Sequence, residues 1–151
     1  MKVLVVYDSI HGNTETIARA IAGAFGEDAT LRKASEGTSG QLTGMDLLII
    51  GAPTHGGRPT PDMLQFLGKL DPDTVRGMKA AAFDTRLSTK WVGIFGYAAG
   101  RIGNALKRMG AELVANPEPF FVTASEGPLK EGEETRAAEW AKALASARTS
   151  A

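Results

Sequence analysis

Short apolar runs alternate along this chain with stretches in which apolar side chains recur at helical spacing. The runs lie at Lys2 to Tyr7, Ala29 to Lys33, Leu47 to Gly51, Ala80 to Asp84 and Phe120 to Thr123. They are too short for helices, and several are apolar at every position rather than at alternate ones, as strands covered on both faces are. Between them, helical periods run from about Thr14 to Phe25, Pro61 to Leu70, Ala98 to Met109 and Glu131 to Ala147. Strand and helix in alternation predict an α/β fold, a parallel five-stranded sheet with helices on both faces.

Element ends carry their own signals. Thr60-Pro61-Asp62 reads as an N-cap, a first-turn proline and an early acid, and Gly110 follows Met109 where a left-handed residue ends a helix. The segment Lys33 to Thr43 holds Gly37, Ser39 and Gly40 among polar residues, which predicts a short or distorted helix. Trp140 falls in one helical period with Ala137, Ala141 and Leu144 and is expected in the core. With no repeat and no linker, the pattern predicts one domain over residues 1–151.

Composition removes several classes of function. Seventeen basic residues balance seventeen acidic ones, so no global field argues for nucleic acid or an anionic membrane surface. Without cysteine there is no disulfide framework, thiolate nucleophile or iron–sulfur cluster, and two histidines cannot form a histidine-rich metal site. No stretch approaches the roughly 20 apolar residues of a membrane span, and the first apolar run has no cleavage site after it, so we expect a cytoplasmic protein.

The chemistry is expected beyond the carboxyl ends of the strands, where ligands of open parallel sheets bind. After the first strand, Asp8-Ser9-Ile10-His11-Gly12-Asn13-Thr14 leads straight into a helix. Helix N-terminal amides lack intrahelical partners and attract anions, and the hydroxyls of Ser9 and Thr14 add donors. The glycine spacings of dinucleotide and nucleoside-triphosphate loops are missing, which leaves a loop suited to a monophosphate or an ordinary capped turn. After the third strand, Ala52-Pro53-Thr54-His55-Gly56-Gly57-Arg58-Pro59 places one flexible peptide in a stiff loop. Such a peptide can present its carbonyl or its amide to a ligand, or simply make a tight turn. After the fourth strand, Asp84-Thr85-Arg86 opens a long segment in which Trp91 is the candidate wall of a flat ligand, while Phe95 and Tyr97 are expected under the next helix.

In order, these loops resemble those of the flavodoxin family, over nearly the whole chain. Ser9, Gly12 and Thr14 match its phosphate loop, with His11 in place of a hydroxyl residue. Gly51-Ala52-Pro53-Thr54-His55-Gly56-Gly57 is similar to its second flavin loop, and Asp84-Thr85-Arg86 stands at its third. Glu126-Gly127-Pro128-Leu129 is also similar to bacterial flavodoxin-domain proteins. The resemblance implies a flavodoxin-like three-layer sandwich with strand order 2-1-3-4-5, in the short-chain form. It also implies non-covalent FMN binding and electron transfer to redox partner proteins that dock transiently at the flavin edge. The residues implied for FMN are Ser9, Ile10, His11, Gly12, Asn13 and Thr14, then Pro53, Thr54, His55, Gly56 and Gly57, then Asp84, Thr85, Arg86 and Trp91. Two alternatives stand beside the carrier. One is an FMN-dependent oxidoreductase acting on a quinone or protoporphyrinogen-type substrate. The other is a flavin-free interaction module, favoured by His11 and by His55 where an aromatic or apolar residue is usual. A signalling receiver domain is disfavoured, because Gly51-Ala52-Pro53 occupies the place of its acceptor aspartate.

Overall fold

A computed structural model of the chain describes residues 1–88 and 97–147. Its strands are β1 (Val3–Tyr7), β2 (Ala29–Lys33), β3 (Leu47–Pro53), β4 (Lys79–Leu87), β5 (Glu112–Leu113) and β6 (Glu118–Val122), and its helices are α1 (Asn13–Phe25), α2 (Pro61–Lys69), α3 (Pro72–Val75), α4 (Ala98–Arg108) and α5 (Glu133–Ser146). All strand pairs of the sheet are parallel, in the order β2-β1-β3-β4 with β5 and β6 sharing the far edge of β4. The expected order 2-1-3-4-5 holds, with two segments filling its fifth position.

That split fifth position is where the sequence reading fell short. β5 pairs only with Lys79 and Ala80, and β6 joins after a gap of four residues against Phe83 to Leu87. Two residues give no readable apolar run, and the expected strand from Phe120 missed Glu118 and Pro119. Pairing with β6 also carries β4 through Leu87, so Asp84-Thr85-Arg86 is strand and not loop. Likewise β3 runs on to Pro53, which pairs with Thr85 at the strand end, where a missing N–H costs little. The irregular segment folds as two single turns of 3₁₀ helix, Ala34–Glu36 and Ser39–Leu42. Between them Gly37 lies against Phe66, where an added Cβ would come within 2.6 Å of the ring.

Successive side chains of a strand point to opposite faces, and the two cores sort accordingly. Leu4, Val6, Leu48 and Ile50 meet Met63 and Phe66 of α2 and Ile102 and Leu106 of α4. Val3, Val5, Leu47 and Ile49 meet Ile17 and Ile21 of α1 and Ala137, Ala141 and Leu144 of α5. On this second face Phe83, Phe120 and Trp140 form an edge-to-face trio with centroids 5.8 to 6.1 Å apart, so Trp140 packs as expected. The Phe83 ring covers Gly51 on the neighbouring strand, and a Cβ there would stand 2.1 to 2.3 Å from it. The helix ends follow their signals: Thr60 accepts from the Met63 amide, and Gly110 takes φ +91°.

α5 is fastened to β6 by charge. Glu133, buried, accepts from the Phe121 amide at 2.8 Å and from Arg136, whose guanidinium also reaches Glu118 and the Pro119 carbonyl and lies over Phe120. The Arg136 hydrogen bond holds the Glu133 carboxyl below its ordinary 4.5 against the opposing effect of burial. A carboxyl lowered on folding stabilises the fold above its unfolded value and loses that contribution as pH falls through its folded one.

Two outcomes follow from this packing. Gly51→Ala forces a methyl against a buried ring and should cost about 1–3 kcal/mol in urea unfolding. Glu133→Gln should cost about 1–3 kcal/mol at neutral pH. In unfolding curves taken across pH, its deficit relative to the parent chain should shrink as pH drops below 4.5.

Candidate functional site

The turn from β1 into α1 is built around one serine. Ser9 Oγ accepts from the amides of Gly12 at 3.0 Å and Glu15 at 3.3 Å, and its own proton remains to be donated. Gly12 stands before the helix at φ +89° and offers no side-chain cap. The amides of Asn13 and Thr14 accordingly have no acceptor among the described residues, at the positive end of a 13-residue helix. Asn13 Nδ2 donates to the Glu126 carbonyl at 3.1 Å, and a Cβ at Gly127 would collide with the Asn13 amide group, so the loop after β6 is seated on this turn. Thr14 is buried, and its hydroxyl meets that of Thr85 on β4 at 2.7 Å. One proton fills that contact, and the other hydroxyl keeps a donor. Asp8 accepts from the Thr60 hydroxyl and so ties the turn to the start of α2.

The loop after β3 closes on itself. His55 and Arg58 exchange both backbone hydrogen bonds, at 2.8 and 3.1 Å, around Gly56 and Gly57 at φ +58° and +77°. Two central residues with positive φ are what a two-residue hairpin turn requires, and glycine adopts them without strain. The histidine and both glycines line the site, His55 and Gly56 exposed and Gly57 buried.

Beneath these loops lies Asp84, fully buried. Its carboxylate accepts from Arg86 Nε at 2.8 Å and Nη2 at 2.7 Å, from Thr54 Oγ1 at 3.0 Å and from the Ala99 amide at 2.9 Å. Thr54 Oγ1 in turn accepts from the Ala98 amide at 3.0 Å. The first turn of α4 is thus capped by β4 and by the residue after β3, in place of its own N-cap Tyr97. The Arg86 guanidinium, paired in this way, sits 3.2 Å over the Tyr97 ring. Tyr97, expected simply under the helix, is therefore a platform for Arg86.

A cavity of about 300 Å³ opens among these elements at the carboxyl edge of the sheet. Ser9, Ile10, His11, Asn13, Thr14, Pro53, Thr54, His55, Gly56, Gly57, Thr85 and Arg86 line it, so residues from all three loops singled out in the sequence meet at one place. Gly12 and Asp84 are not on its wall: Gly12 shapes the backbone behind it, and Asp84 holds the floor from below. Trp91 and Phe95 lie outside the described residues. Leu87, Val122 and Ser125 complete the lining and escaped the sequence reading. Leu87 and Val122 carry no chemistry to notice, but the Gly127-Pro128 break after an apolar strand did mark the loop that brings Ser125. Among the described residues no cluster of His, Asp and Glu fits a metal ion, and no helix is long and apolar enough to cross a membrane.

The same architecture recurs in known proteins. Flavodoxin 2 from Bacillus cereus is 26% identical, covering 96% of this chain and 98% of that one with a TM-score of 0.78. Flavodoxin 1 from the same organism is 22% identical over 99% and 100% of the two chains, with a TM-score of 0.80. A flavodoxin from the domain Archaea is 20% identical over 96% of each, again at 0.80. The flavodoxin family model itself matches residues 5–140, which span every loop of the cavity. By that match, the chain belongs to the flavodoxin family.

Proposed function

We propose that the cavity holds FMN without a covalent bond and that the chain carries electrons between redox proteins. The observation that bears most on this reading is the open start of α1: two unpaired amides, the Ser9 proton and a Thr14–Thr85 hydroxyl pair converge at one end of a largely apolar cavity. A phosphate group satisfies all of these donors at once. His11 and Ser125 also line the cavity and add donors, His11 where the usual loop has a further hydroxyl. The rest of the lining, which includes Pro53, the His55 to Gly57 turn and Arg86, suits a flat ring. When bound, FMN supplies the redox chemistry, and the chain supplies orientation and electrostatics.

The Asp84 carboxylate pairs with Arg86 beneath the cavity, so the guanidinium on the lining is held in place with its charge compensated. Partner proteins meet the carrier at the cavity mouth, through the small, transient contacts usual for electron transfer.

Titration of the cofactor-free chain, followed by quenching of flavin fluorescence, tests the reading. FMN should bind one to one, and riboflavin, which lacks the phosphate, roughly 10-fold more weakly or worse, since a charge-assisted hydrogen bond contributes about 1.5–3 kcal/mol. Ser9→Ala should weaken FMN roughly 10-fold and riboflavin little. Equal binding of the two flavins, or none of FMN, would overturn the proposal.

A further inference from the structure

The hairpin turn that lines the cavity contains three peptide units, and they are not equally held. In His55–Gly56 the carbonyl accepts from the Arg58 amide at 3.1 Å. In Gly57–Arg58 that same amide is spent on His55, and the carbonyl accepts from Arg101 Nε at 2.9 Å. In Gly56–Gly57 neither the carbonyl nor the amide has a partner among the described residues. An added Cβ at Gly56 would meet nothing within 4 Å, so no neighbouring side chain packs against that side of the turn.

Arg101 reaches the turn from α4, across 44 residues of sequence. Its own amide donates to the Tyr97 carbonyl at 3.2 Å, and the helix start is pinned through Ala98 to Thr54 and through Ala99 to Asp84. The donor on Gly57 is therefore carried by the same framework that holds the cavity floor.

From this geometry we infer that Arg101 is a positioning residue: it fixes the Gly57–Arg58 peptide and confines reorientation of the turn to the Gly56–Gly57 peptide at the cavity wall. A peptide that can turn alone suits a ligand whose hydrogen-bonding demand inverts on reduction. That consequence rests on the FMN reading, whereas the latch itself does not.

The test uses two near-isosteric variants. In Arg101→Gln an amide nitrogen takes the chain position of Nε and keeps the donor without the charge. In Arg101→Met a methyl takes that position and the donor is lost. In the cofactor-free chain, exchange of the Arg58 amide measured by NMR should rise roughly 2- to 10-fold in Arg101→Met, and Arg101→Gln should restore most of the protection. In the FMN-loaded chain, the separation of the two midpoint potentials should move in Arg101→Met by the equivalent of a roughly 2- to 10-fold change in equilibrium constant, and far less in Arg101→Gln. Unchanged Arg58 exchange in Arg101→Met overturns the latch, as does an Arg101→Gln variant that behaves like Arg101→Met, which would assign the effect to charge. Failure of the parent chain to bind FMN overturns the reading of the cavity instead, and amide exchange alone then decides the latch.

Discussion

A buried carboxylate sets the geometry of the whole edge. Removing the Asp84 charge from water is expensive and is tolerated only because every direction around it is answered: a bidentate guanidinium, a hydroxyl and a helix amide. These donors belong to β4, to the residue after β3 and to the first turn of α4. Satisfying one charge therefore fixes the relative placement of three elements, and a shift in any of them would leave a buried oxygen unpaired. Thr54 extends the constraint by relaying to Ala98, and Arg86 extends it onto Tyr97. The cavity walls inherit their positions from this arrangement.

The first loop has a different logic. Hydroxyls rather than charges organise it, and Ser9 spends its oxygen on amides that would otherwise be orphaned. Gly12 withholds a cap from the next two, so the helix is left with an electrostatic need that a ligand can meet. One half of the site is thus internally satisfied, and the other is built with donors to spare.

Much of this is legible in the sequence. β1, its loop and α1 could be read because a five-residue apolar run, a hydroxyl-and-glycine turn and a helical period each carry a strong local signal. The turn at Gly56-Gly57 announced itself in the same way. What stayed hidden depended on pairing across long stretches of chain. Arg86 looked like loop because a charged residue seldom sits inside a covered strand, and only its return to Asp84 and the arrival of β6 make it strand. Val122 and Ser125 reach the cavity through that same pairing, and nothing about a valine or a serine advertises it.

The broken fifth position has a bearing on how these molecules behave toward one another. An uninterrupted edge strand offers a row of free amides and carbonyls on which a second sheet can zip, the first step toward aggregation. Here the edge consists of two residues of β5, then a gap from Val114 to Pro117, then β6 with Pro119 inside it. Pro117 and Pro119 contribute no N–H at all. An incoming strand would find its ladder interrupted within a few residues, so the irregularity that obscured this strand in the sequence also protects this edge of the sheet from its own copies.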